Sequence, residues 1–134
     1  MSTRCTTHFT YQNETKPEAI IYRHSNGYPS GAGVDLLRFL DEVNKLSDKR
    51  FNDPSYLAAK YVVFLADMFN TSNESRLDFL SVGVVAQDPG DIEYRYVVNC
   101  SNGGRPVVKC YKVSCSYPEN VWSQKEVDIQ TEAQ

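Results

Sequence analysis

Across residues 22–40, YRHSNGYPSGAGVDLLRFL, the hydrophobic pattern changes period within one loop. AIIYRH (19–24) alternates as a strand does, with Ile20, Tyr22 and His24 opposite Ile21 and Arg23. Directly after the glycines, residues 34–46 put Leu36, Leu37, Leu40 and Val43 at helical spacing, with Asp35, Arg38, Asp41, Glu42 and Lys45 facing water. A helix that leaves a strand through so short a Gly/Pro/Ser loop has to pack its apolar stripe on the sheet that the strand belongs to.

The flanking segments complete the pattern. TTHFTY (6–11) puts Thr7, Phe9 and Tyr11 on one face and His8 and Thr10 on the other. With the polar turn NETKPE it forms a hairpin with residues 19–24. A second helix begins at Asp53, which caps free backbone N–H groups, and at Pro54, whose missing donor costs nothing at the first helical position. Its run SYLAAKYVVFLADMF is apolar around most of its circumference, so it is expected to be the central buried helix, Ala59 included. Three strands follow: LDFLSVGVVAQ, bounded by a DPGD turn, then IEYRYVVN, then RPVVKCYKVS after Asn102-Gly103-Gly104. The order is ββ-αα-βββ. It predicts an α+β fold in one domain over residues 1–115, with a mostly antiparallel sheet and both helices on one face. Residues 116–134 are polar, with Trp122 as the only large anchor, and read as a partly ordered tail.

Charge and cysteine usage remove several functions. A formal net charge of −3 over 134 residues argues against an extended nucleic-acid partner, which draws a basic stripe. It leaves room for a small anion held by local cations. No apolar run is long enough to span a membrane, and the opening MSTRCTTHFTYQ has no secretion-type apolar core, so the chain reads as cytoplasmic with no membrane partner. Cys5, Cys100, Cys110 and Cys115 form no Cys-x-x-Cys pair, and His8 and His24 lie far in sequence from the last three. They read as reduced, structural thiols, with no metal and no cofactor implied.

Two constellations could carry chemistry. The first is the strand-to-helix loop. A helix N-terminus offers unpaired N–H groups to an anion. Gly27, Gly31 and Gly33 would let it approach, Arg23 would add a two-pronged contact, His24 a donor and Tyr28 a stacking surface. The bland alternative is a plain connection capped by Ser30. If the chain were an enzyme, His24 would be its general acid or base. The second is the C-terminal sheet, where Tyr94, Tyr96 and Tyr111 interleave with Arg95, Arg105, Lys109 and Lys112. That mixture suits a base on a ring and a phosphate on a guanidinium. Its bland alternative is tyrosines covering core edges and cations keeping an edge soluble.

The segments YRHSNGYPSGAGVDLLRFL, FNDPSYLAAKYVV and DPGDIEYRYVVNC together resemble a family of short uncharacterised bacterial and bacteriophage proteins. That family shares a YRH-x-x-GYP loop, a DPSYLAA helix and a DIEY strand. The resemblance spans roughly residues 6–113, and Ser25-Asn26 stand where an aromatic–acidic pair is expected. In size and class the chain is also loosely similar to phage proteins that sequester immune-signal nucleotides, such as the Thoeris anti-defence proteins. These resemblances and the two patches imply a protein that binds a nucleotide-like anionic small molecule, without turnover, as a sponge or sensor. A short sheet with open edges adds the expectation of a homo-oligomer. The competing expectations are an enzyme using His24 and a protein–protein interaction module.

Overall fold

Six strands, β1 (Cys5–Tyr11), β2 (Ala19–Arg23), β3 (Val82–Val85), β4 (Tyr94–Ser101), β5 (Gly104–Ser116) and β6 (Val121–Val127), form one sheet in the order β3-β2-β1-β4-β5-β6. Helices α1 (Val34–Asn44) and α2 (Pro54–Phe69) both follow β2. The computed structural model describes residues 3–12, 14–69, 81–101, 104–116 and 118–129. The expected strand start at 77–80, the turn at 70–75 and Asn102-Gly103 lie outside these. All pairings are antiparallel except β1 with β4, where Cys5 stands beside Tyr94 and His8 beside Val97. The α+β architecture and the helices on one face agree with the sequence reading.

The core lies between α1, α2 and one sheet face. Alternation sends Cys5, Thr7 and Phe9 of β1 and Tyr96, Val98 and Cys100 of β4 toward the helices, where they meet Leu36, Phe39, Leu40, Leu57, Tyr61 and Leu65. Tyr61 is the hub, its ring 5.1 Å from that of Phe39 and 5.7 Å from that of Phe9. Asp53 caps α2 as expected, its Oδ1 accepting from the Tyr56 N–H at 3.3 Å. No helix is long and apolar enough to cross a membrane among the described residues.

Three expectations are corrected. α2 is not buried all round: Leu57, Ala58, Tyr61 and Leu65 face the core, while Ala59 and Val63 are exposed. An apolar circumference does not say how many neighbours exist, and among the described residues the sheet and α1 supply those of α2. Secondly, part of the polar tail is strand β6, paired with β5 from Ser116↔Val121 to Cys110↔Val127. Pro118 and Asn120, the latter at φ 54°, make the turn into it, and Ile129 beyond it is buried in the core. Thirdly, the loop Pro29–Gly33 is one π-type turn running straight into α1, and no side chain, Ser30 included, caps it.

The connection from β3 to β4 positions the site. β3 is antiparallel to β2, β2 to β1, and β1 is parallel to β4, so β3 and β4 point the same way with two strands between them. Residues 86–93 therefore cross about 14 Å of sheet. They do so over the face away from the helices, where Asp88 lands on Thr6, His8 and Arg95.

Candidate functional site on the open sheet face

On the face away from the helices, register brings His8, Val97 and Lys109 into one row and Thr6, Arg95 and Tyr111 into the next. Asp88, from the crossover, is the hinge of this group. Its Oδ1 accepts from Thr6 Oγ1 at 2.6 Å and from His8 Nε2 at 2.7 Å, and its Oδ2 accepts from Arg95 Nε at 2.6 Å. The side chain is only 7% exposed. Burial alone would raise the pKa of this carboxyl, but hydrogen bonds from His8, Thr6 and Arg95 outweigh it and hold the pKa at about 2. Asp88 is therefore an ionised, acceptor-only group at neutral pH.

That charge fixes its neighbours. His8 must carry a hydrogen on Nε2 to bond a carboxylate, which leaves Nδ1 with no hydrogen-bond partner among the described residues. Arg95 gives Nε to Asp88 and Nη1 to Gln124 at 2.8 Å, and its guanidinium lies 5.3 Å from the Trp122 ring centre. Of about five N–H donors on a guanidinium, two are engaged by these bonds. His8 and Arg95 then line, with Thr10, Asn99, Tyr111 and Gln124, a groove of ≈ 440 Å³. One wall is the β1–β2 connection, through Glu14, Thr15 and Pro17, beside which Thr10 Oγ1 at the end of β1 donates to the Tyr11 carbonyl at 3.2 Å.

The strand-to-helix loop is built differently from its expectation. Arg23 is 3% exposed and faces the core side of β2, where its Nη1 donates to Asp35 at 2.9 Å and its Nε to the Ser25 carbonyl at 2.8 Å. Its guanidinium lies 5.1 Å from the Phe69 ring centre. Asp35, read as facing water, is its partner in the first turn of α1. The loop's donors are engaged internally: Gly27 N–H by Thr3 O, Gly31 N–H by Tyr28 O and Ala32 N–H by Asn26 O. The glycines answer to packing, since a Cβ on Gly31 would stand 2.5 Å from Asn26 O, and one on Gly33 2.9 Å from Ile129. Tyr28 is exposed and donates to Asn26 Oδ1, while His24 is exposed with its Nδ1 2.9 Å from the Tyr22 hydroxyl.

The second sequence patch divides between the two sheet faces. Arg95, Tyr111 and Lys109 share the open face, Lys109 reaching Glu126 at 4.0 Å. Tyr94 packs against the core, and Tyr96 is fully buried in it, its hydroxyl donating to the Gly27 carbonyl at 2.8 Å. Arg105 turns to α1 instead, bonding Asp41 at 2.6 Å and the Leu37 carbonyl at 3.1 Å. Sequence reasoning missed Asp88, His8 and Gln124. Only His8 gave a signal, its place on the polar side of an alternating strand.

Burial raises the Cys5 thiol to about 12 and the Cys100 thiol to about 11, so neither is a thiolate at neutral pH. Among the described residues no group of three or more His, Cys, Asp or Glu is placed to hold a metal ion. Comparison with protein-family models, with curated proteins and with solved structures returned no match.

Proposed function

We propose that this chain binds, without turnover, a phosphate-bearing small molecule of nucleotide type on the open face of its sheet. The observation that carries the reading is that one buried carboxylate, Asp88, holds His8 and Arg95 side by side, and both line the groove beside Tyr111. Prepositioned side chains lose little freedom on binding, which favours affinity. The guanidinium can give a phosphate its remaining donors. The Tyr111 ring offers a base a surface to stack on, and Asn99 and Gln124 offer hydrogen-bonding edges. The same face would carry the sequestering role that the resemblance implies, inside the cell. Self-association belongs to the same proposal, because β3 and β6 are the edge strands of the described sheet, and Val84 on β3 is well exposed.

The test is retention. Purified protein is incubated with a nucleotide panel, washed, and heated to release bound ligand for mass spectrometry, in parallel with Tyr111→Ala and Asn99→Ala. Intact nucleotide from the wild type and a clear loss from both variants is the expected result. No retention, equal retention by the variants, or recovery of altered nucleotide would overturn it.

A further inference from the structure

A second concavity adjoins the groove, and what it adds rests on reading the open face as the ligand site. His8 and Pro17 border both. The second holds ≈ 330 Å³ between the β1–β2 connection and the start of the crossover that leaves β3. Its chemistry differs from that of the groove. Pro17, Ala19, Ile20, Val85 and Ala86 give it an apolar lining, and Lys16, Glu18 and Gln87 add polar groups. Register accounts for the floor: Ile20 of β2 pairs with Val85 of β3, in the same row as His8.

Positions on the sheet set the size of a ligand that fills both concavities. β5, β4, β1 and β2 are successive neighbours, so Tyr111 and Ile20 stand three strand spacings apart, about 14 Å. Tyr111 lies in the row of Thr6 and Ile20 in the row of His8, an offset of about 7 Å along the strands. The direct span is about 16 Å. Arg95 stands between them on β4, giving Nε to Asp88 and Nη1 to Gln124, with no hydrogen-bond partner on Nη2 among the described residues. A cation with donors to spare is thus flanked by an aromatic ring on one side and an apolar concavity on the other.

We propose that this concavity is a second base subsite, and that the ligand class is a dinucleotide, two nucleosides joined through phosphate. The phosphate takes the open donors of Arg95. One base stacks on Tyr111, and the other enters the concavity, where the Gln87 amide can both donate to its edge and accept from it. A mononucleotide fills one arm only. With its phosphate on Arg95 and its base on Tyr111, it leaves the Ile20–Val85 surface in water.

The experiment is calorimetric titration of the full chain at pH 7.5 with adenylyl-(3′→5′)-adenosine and with the methyl ester of adenosine 5′-monophosphate. Both probes carry one phosphodiester charge, and they differ by one nucleoside. Moving a second base out of water predicts roughly tenfold to hundredfold tighter binding of the dinucleotide. That comparison needs no variant. Ala86 lines the concavity and is exposed, so Ala86→Trp obstructs it with little demand on the core. This variant should bring the dinucleotide down to the level of the methyl ester and leave the methyl ester unchanged, whereas Tyr111→Ala should weaken both. Equal affinities in the wild type, or a dinucleotide advantage that survives in a folded Ala86→Trp, would overturn the second subsite while leaving the open-face site standing. Binding of neither probe would overturn the open-face site and the subsite with it.

Discussion

Replacing Asp88 by Asn tests the centre of the structure, because it keeps the shape and removes the charge. In the native protein three donors converge on that carboxylate, from Thr6, His8 and Arg95. An amide offers one acceptor oxygen, so at least one buried donor loses its partner, and the Arg95 charge loses its counter-ion. A carboxyl whose pKa falls from 3.8 to about 2 stabilises the folded state by about 2 kcal/mol at ~1.4 kcal/mol per pH unit. Asp88→Asn should lose at least that at pH 7, and Asp88→Ala about 3–5 kcal/mol, the usual result of removing one partner of a buried pair. The sign of the pH dependence follows. Because the folded pKa is depressed, the stabilisation is complete above pH ~4 and is lost as pH falls toward about 2. Urea unfolding at pH 7, 4, 3 and 2 reads both effects. Wild type should weaken steadily below pH 4, and Asp88→Asn should start lower and show a shallower acid slope. An Asn variant with the wild-type midpoint at pH 7 and an unchanged acid slope would refute the reasoning.

Arg23→Ala should cost about 3–5 kcal/mol, because it removes the buried partner of Asp35, leaving it the exposed Arg38 at 3.7 Å, and takes away the guanidinium beside Phe69; thermal unfolding would show it, and a loss below about 1 kcal/mol would mean that the pair does not support the fold. Asp53→Ala should cost about 0.5–2 kcal/mol through loss of the Tyr56 N–H cap, and an unchanged urea midpoint would contradict that. Ala59→Asp, which the apolar circumference of α2 suggested would abolish folding, should instead give a soluble, cooperatively melting protein within about 1 kcal/mol of wild type, since Ala59 is exposed; an insoluble variant would return that position to a buried interface.

Local pattern told where strands and helices lie, and it told little about what crosses over them. Alternation in TTHFTY and IEYRYVVN placed Thr7, Phe9, Tyr96 and Val98 on one face because period two is a property of the strand itself. The same alternation put His8 and Arg95 on the opposite face without showing that the two share a partner, since Asp88 arrives from a different loop. DPGD read as a turn, and a turn it is. That its first Asp would lie over β1 follows only once β4 pairs parallel with β1 and forces the chain across the open face. Arg23 shows the converse error. Beside a Gly-rich loop a lone cation looked available, but alternation had already sent it to the core side with Cys5, its register partner. The acid that neutralises it, Asp35, sat on the outward face only if α1 was considered apart from the sheet. β6 was hidden by its polarity, as an edge strand's solvent side is polar whether or not it is paired.

The central claim is a location, and amide chemical-shift mapping locates a ligand directly. With ¹⁵N-labelled protein titrated with adenosine 5′-monophosphate at pH 7, the account predicts progressive shifts at His8, Thr10, Arg95, Asn99, Tyr111 and Gln124, with the Gly27–Gly33 amides little changed. Shifts centred on Gly27, Tyr28, Gly31 and Gly33, with the open face silent, would contradict it and return the site to the strand-to-helix loop.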